Sequence, residues 1–210
     1  GPALVFIYYT KSELLTSNMM VVAIGHYYKR ISTWRALRVL VMCLAGNFAG
    51  GLVFAAMYRF STLVEAATGE QATHSVAAKL LYLSSASGIG DLFVRAVLCN
   101  FMINLAMLLI YNGFIREDWS KIFAMLISVF VFAFLGLEHS VANTVLFTVV
   151  GLTHGIDVLT ALGNVAVALL GNFVGGGLLI GGYYAYANDD SRWLRRQPQK
   201  NGAQAAESTG

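Results

Sequence analysis

A repeat at a fixed offset of 125 residues constrains this chain more than any other feature. Gly46-Asn47-Phe48-Ala49-Gly50-Gly51 recurs as Gly171-Asn172-Phe173-Val174-Gly175-Gly176. Upstream, Glu13-Leu14-Leu15-Thr16-Ser17-Asn18 is shadowed by Glu138-His139-Ser140-Val141-Ala142-Asn143, with Glu and Asn in the same register. Both copies lie in apolar segments of membrane length. Internal duplication of a hydrophobic chain is a signature of membrane transport folds, which place the site where the repeats meet.

Composition agrees. The chain is 57% hydrophobic and only 12% charged, with a mean hydropathy of +0.65, whereas a soluble domain carries about 25% charged residues. Four apolar segments stand out at roughly 34–58, 91–114, 121–153 and 159–187. A fifth, from residue 1 to about 28, is interrupted between Thr10 and Asn18. A span needs about 20 apolar residues. Segment 121–153 is longer and is broken by Glu138-His139-Ser140. Such breaks are tolerated where the freed backbone is buried in protein or lines a water-filled cavity, so the two segments carrying the duplicated hexad are expected to be discontinuous helices. The stretch 59–90 mixes Glu65, Glu70, His74 and Lys79 with apolar residues and reads as an interfacial helix plus loop on the outer side.

The basic residues set the expected topology. Ten of the 14 Lys and Arg fall in three regions that alternate onto one side: Lys29 to Arg38, Arg116 with Lys121, and Arg192 to Lys200. That side is expected to be cytoplasmic, with the C-terminus on it. The broken segments, three crossings apart, then run in opposite directions. The expected fold is all-α: an inverted-repeat helical bundle of aquaporin-like architecture. Its channel domain covers 1–187, and a cytoplasmic tail, expected to be disordered, covers 188–210. Subtracting 125 from the span at 91–114 gives a partner before Gly1, so five spans of an expected six are present and about 35 or more residues are expected upstream.

The breaks hold the candidate chemistry. An ionisable side chain at mid-membrane is a functional hypothesis by default, which puts His139 first; its neutral ring has one donor and one acceptor. The competing reading is a structural histidine bonded to a backbone carbonyl. Glu13 and Glu138 are expected to accept from the exposed N–H groups of the following half-helices, and Thr16 and Ser17 to cap or line the first break. Asn47 and Asn172 are placed to hydrogen-bond the broken helix beside them, Asn18 and Asn143 to support the breaks, and the glycine motifs to allow close helix packing. Asp91 and Arg95 read as a stabilising i,i+4 pair. Cys43 and Cys99 lie in apolar runs and imply neither disulfide nor metal site. No cofactor, metal, nucleic acid or enzymatic chemistry is expected.

These residues resemble the formate/nitrite transporters. The resemblance rests on Leu137-Glu138-His139-Ser140-Val141-Ala142-Asn143, the Ser12–Asn18 loop, Val97-Leu98-Cys99-Asn100 and the Gly171–Gly177 run, in the family's order over nearly the whole chain to about 187. It implies six spans, a homopentamer in the cell's inner membrane with one pore per protomer, and passive, proton-coupled permeation of small monovalent anions or their acids. Formate, nitrite, hydrosulfide and lactate are all of this class. It makes His139 the central pore histidine and Thr16 its partner, with Leu4 and Leu15 at one hydrophobic constriction and Phe132 at the other. One departure concerns the vestibule lysine carried by many members. The matching distance here holds Leu83-Ser84-Ser85-Ala86-Ser87, and Lys79, farther upstream, serves only if the loop folds differently. Two alternatives stand beside the channel: a non-conducting membrane sensor or assembly subunit, and a neutral-solute channel of aquaporin type, whose paired Asn-Pro-Ala boxes are absent.

Overall fold

The computed structural model describes residues 2–191. Most of the expected tail, including its basic stretch from Arg192, lies outside the described residues. Helices run in the order α1 (Pro2–Thr10), α2 (Leu15–Tyr27), α3 (Thr33–Arg59), α4 (Ala67–Leu81), α5 (Ala86–Tyr111), α6 (Asp118–Phe134), α7 (Ser140–Thr153) and α8 (Val158–Asn172). The last span continues from α8 through a π-helical stretch, Phe173–Gly182, into α9 (Tyr183–Ala187). Among the described residues three helices are long and apolar enough to cross a membrane: Thr33–Arg59, Ala86–Tyr111 and the continuous Val158–Ala187.

Both discontinuities appear where the duplicated hexads lie, and they are built alike. The helix before each break ends in a left-handed residue, Lys11 (φ 54°) in the first copy and Gly136 (φ 62°) in the second. The next amide reaches back five residues in each, Ser12 N to Ile7 O at 3.0 Å and Leu137 N to Phe132 O at 2.9 Å. Such closure satisfies carbonyls at a helix end. Each chain then extends for one residue at matching angles, Leu14 (−118°, 121°) and His139 (−116°, 114°), before its half-helix begins. All these pairs are 125 residues apart.

The mirrored elements also pack in mirrored fashion. The half-helix of each copy lies on the long span of the other, α2 against the π-helical stretch and α7 against α3. Glycines of the last span allow its close packing: a Cβ at Gly175, in the second motif, would run into the Val97 carbonyl of α5, and one at Gly181, beyond the motif, would come 2.7 Å from Met20 O of α2. In the first motif only Gly51 is tight, with a Cβ position 2.8 Å from Val145 Cγ2. Gly46 and Gly50 face open space, so close packing explains the second motif better than the first.

Two bounds shift from expectation. The span expected from 91 begins at Ala86, because Ser85 caps it: its hydroxyl accepts from Gly88 N at 3.0 Å. The segment 59–90 holds α4, whose Val76 packs on Phe147 and Val150, and a short 3₁₀ turn, Tyr82–Ser84. The main apolar cluster gathers Leu4, Met20, Cys99, Ile103, Met107, Met125, Leu137 and Ile180 around the breaks, with Phe132 against it.

Candidate permeation site

The two half-helices begin side by side in the buried interior. Freed backbone groups there need partners, because each unpaired buried group costs about 1–3 kcal/mol. The duplicated asparagines supply them. Asn172 Oδ1 accepts from Ser140 N (2.8 Å) and its Nδ2 donates to Glu138 O (3.0 Å). Asn47 Oδ1 accepts from Leu15 N (3.0 Å) and its Nδ2 donates to Glu13 O (3.1 Å). One side chain thus clamps both strands of each break, as the sequence led us to expect.

The capping expected of the carboxylates falls elsewhere. Among the described residues no backbone amide donates to the Glu138 or Glu13 carboxylate; both take a side-chain amide, from Asn143 and Asn18 respectively, each at 2.6 Å, and Glu138 also takes the Lys79 ammonium. Asn47 and Asn172 have taken the leading amides of the half-helices, and His139 Nδ1 accepts from Ala142 N at 3.2 Å. Thr16 caps nothing either. It lies inside α2, after Leu14, which offers no side-chain cap.

Thr16 instead meets His139. Its Oγ1 lies 3.0 Å from His139 Nε2, across 123 residues of sequence, and both side chains are buried. With Nδ1 accepting from Ala142, the ring's hydrogen belongs on Nε2 and is donated to Thr16 Oγ1. Among the described residues no acceptor takes the hydrogen of the Thr16 hydroxyl itself. The Phe132 ring stacks on the imidazole with centroids 5.8 Å apart. Leu4 and Leu15 are both buried, at 4% and 2% exposure. Ser17 Oγ, Asn104 Oδ1 and Ser140 Oγ are buried polar atoms without a partner among the described residues.

Two buried asparagines within apolar helices, Asn104 and Asn164, were not singled out from sequence, and Asn100 was quoted only as part of the Val97–Asn100 motif. Asn100 Nδ2 donates to Thr16 O (3.1 Å) and Asn172 O (2.7 Å), and Asn104 Nδ2 reaches Thr16 O (3.1 Å). Gly176 leaves the room: a Cβ there would collide with both amides. Asn164, in α8, accepts from Asn143 Nδ2 at 3.0 Å. An amide inside an apolar span was the available signal.

The sequence left the place of Lys79 open. It lies in the last turn of α4, just before the Tyr82–Ser84 turn, and that turn of α4 meets the second break. Lys79 Nζ sits 2.7 Å from Glu138 Oε1, with side-chain exposures of 20% and 2%. Arg95 is structural. Its Nε lies 3.0 Å from both oxygens of Asp91, and Nη1 donates to Leu135 O (3.3 Å) and Gly136 O (3.2 Å), tying down the end of α6. Among the described residues no group of three His, Cys, Asp or Glu could hold a metal ion.

Apolar spans, mirrored breaks and a buried polar pair between them define a multi-pass membrane protein of the transporter class. The family model for formate/nitrite transporters matches residues 1–186, and the chain belongs to that family, whose members are channels and transporters rather than enzymes. It is 30% identical to an uncharacterized transporter of Bacillus subtilis, YwcJ, over 90% of this chain and 73% of the relative. The nitrite transporter NirC of Salmonella typhimurium is 30% identical over 91% and 70%, and the formate channel FocA of Haemophilus influenzae 28% over 83% and 67%. A solved structure titled FNT family ion channel superposes with a TM-score of 0.76 at 27% identity, over 89% of this chain and 73% of that one.

Proposed function

We propose that this chain forms a passive path for small monovalent anions, crossing together with a proton as the weak acid, through a centre made by Thr16 and His139. The observation that carries this is their 3.0 Å contact, buried between apolar walls, with the Thr16 hydrogen left to donate to a solute. Ser17 Oγ and Ser140 Oγ, buried and without partners among the described residues, belong to the residues next to the pair and offer further polar contacts. Leu4 and Leu15 on one side and Phe132 on the other are the proposed constrictions. Formate and nitrite, named for the relatives, fit the class.

Energetics favour the neutral form. A bare carboxylate in hydrocarbon faces a Born penalty of order tens of kcal/mol. Protonating an acid of pKa ~3.7 at pH 7 costs ~4.5 kcal/mol at 1.36 per unit. Lys79, paired with Glu138 at the second break, cancels a negative charge that would otherwise repel the entering anion. His139, directly or through water, is the proton's last station. The functional assembly is a homopentamer in the cell's inner membrane, with the C-terminus cytoplasmic.

The test is flux into liposomes. His139→Phe should reduce formate or nitrite uptake at least tenfold while the protein still assembles. Wild-type flux in an assembled variant would remove His139 from the path, and absence of flux in the unaltered protein would favour a sensor or assembly subunit.

A further inference from the structure

Resting on that reading, we infer that Asn164 is a positioning residue that fixes Lys79 on Glu138 and thereby sets the charge beside the pore. Four residues from separate parts of the chain close a ring. Lys79 Nζ donates to Glu138 Oε1 (2.7 Å), and Asn143 Nδ2 donates to Glu138 Oε2 (2.6 Å) and to Asn164 Oδ1 (3.0 Å). Asn164 Nδ2 then donates back to the Lys79 carbonyl at 2.9 Å. Both hydrogens of the Asn143 amide are used, and both oxygens of the carboxylate are engaged. Asn164 is fully buried and bonds neither His139 nor Thr16.

An apolar residue of the same size could fill this place but could not hold Lys79. A lysine ammonium is a mobile point charge on a flexible four-carbon stem. Here the main chain of Lys79 is pinned at one end by Asn164 and the ammonium at the other by Glu138. The Lys79 carbonyl also accepts from Tyr82 N, so Asn164 supplies the bond that joins it to α8. Elsewhere α4 meets the bundle through a small apolar cluster around Val76 and through Thr68, 3.4 Å from Tyr58 Oη, so losing the Asn164 bond loosens the lysine end of α4 more than it disturbs the core.

Comparison of the two repeats separates this ring from the scaffold. The scaffold bonds occur twice: the asparagine clamps, and the Glu13–Asn18 and Glu138–Asn143 contacts. The ring occurs once. The position 125 residues before Asn164 is Val39, which is 40% exposed. Asn18 directs its amide to Cys43 Sγ at 3.0 Å instead, and Glu13 is exposed. Duplication built the clamps in both halves; the ring distinguishes one half from the other.

The charged and titratable groups facing Glu138 are Lys79 from α4, Tyr82 from the following turn, Cys99 and the Asp91–Arg95 pair from α5, and His139 in the break. Neither α7 nor α8 contributes a titratable side chain. Lys79 is the only one of these that donates to the Glu138 carboxylate. With the lysine released, the carboxylate's unpaired charge repels an entering anion.

Two readouts test this in the intact protein. In the first, lysines are acetylated with an N-hydroxysuccinimide ester and read by mass spectrometry, which does not depend on transport. Asn164→Leu should raise Lys79 labelling at least threefold and leave Lys121 unchanged; Asn164→Ser, a gentler change, should raise it less. In the second, formate flux into liposomes is compared among the variants. Asn164→Leu and Lys79→Met should each lose at least threefold in flux, and the double variant should be no worse than Lys79→Met alone. Unchanged Lys79 labelling in both Asn164 variants overturns the inference. Unaltered flux in Asn164→Leu does so too, as do losses that multiply in the double variant. If the unaltered protein carries no weak acid, the functional reading fails while the labelling still decides the role of Asn164.

Discussion

Replacing Asn172 by alanine should destabilise the protein more than the equivalent change at Asn47, and the structure says by how much. Asn172→Ala orphans Ser140 N and Glu138 O, both at the buried second break. The third partner, Ala96 O (2.8 Å), lies within α5 and keeps its helical bond. Two buried groups at about 1–3 kcal/mol each give about 2–6 kcal/mol. The lower end is favoured, because groups inside membrane proteins find substitute partners. Asn47→Ala orphans the mirrored pair, Leu15 N and Glu13 O, but this site is partly exposed and water can replace the amide. Net losses of about 0.5–1.5 kcal/mol per bond then apply, giving about 1–3 kcal/mol. Thermal unfolding in detergent, followed by gel filtration of heated aliquots, should show Asn172→Ala melting well below Asn47→Ala and both below the unaltered protein. Equal melting points would refute the burial argument, and no loss in either variant would refute the clamp.

Three further outcomes follow. Thr16→Ser should conduct within about twofold of the unaltered protein, whereas Thr16→Val, lacking the hydroxyl, should lose about ten- to a hundredfold in liposome flux, as expected for a hydrogen bond to a charged solute worth about 1.5–3 kcal/mol. Arg95→Met should lower the melting point by freeing the carbonyls of Leu135 and Gly136, and Arg95→Lys should not restore it, because one ammonium cannot reproduce the guanidinium fork. The Thr160 hydroxyl and the backbone N–H groups of Thr160 and Leu159 hold the Asp157 carboxyl below its ordinary range. A depressed folded-state value stabilises above the unfolded value, about 3.9, and that contribution is lost as pH falls through the folded value. Melting curves from pH 6 to pH 3 should therefore fall less steeply in Asp157→Asn.

The 125-residue register made much of this legible. Glu13 and Glu138, Asn18 and Asn143, and Asn47 and Asn172 all came from one offset, and each pair makes the same kind of bond in its own break. Spacing failed where a bond depends on how the chain returns. Whether Lys79 reaches the second break could not be read from a residue count, because the path of the 59–90 segment decides it. The carboxylates looked like caps because nothing in sequence said that an asparagine 34 residues away would reach the same amides first. Thr16 meeting His139 was expected from resemblance alone, since no local pattern relates residues 123 apart. Asn164 was overlooked because a lone amide in an apolar helix carries no spacing to read, although its burial cost was signal enough.

The weak-acid route requires that the anion cross with a proton. In liposomes loaded with a pH dye, an inward formate gradient should acidify the lumen by one proton per formate taken up, with no change when the membrane potential is clamped by potassium and valinomycin. Formate uptake without luminal acidification, and with a rate that follows the clamped potential, would mean that the bare anion passes and that the proposed weak-acid route is wrong.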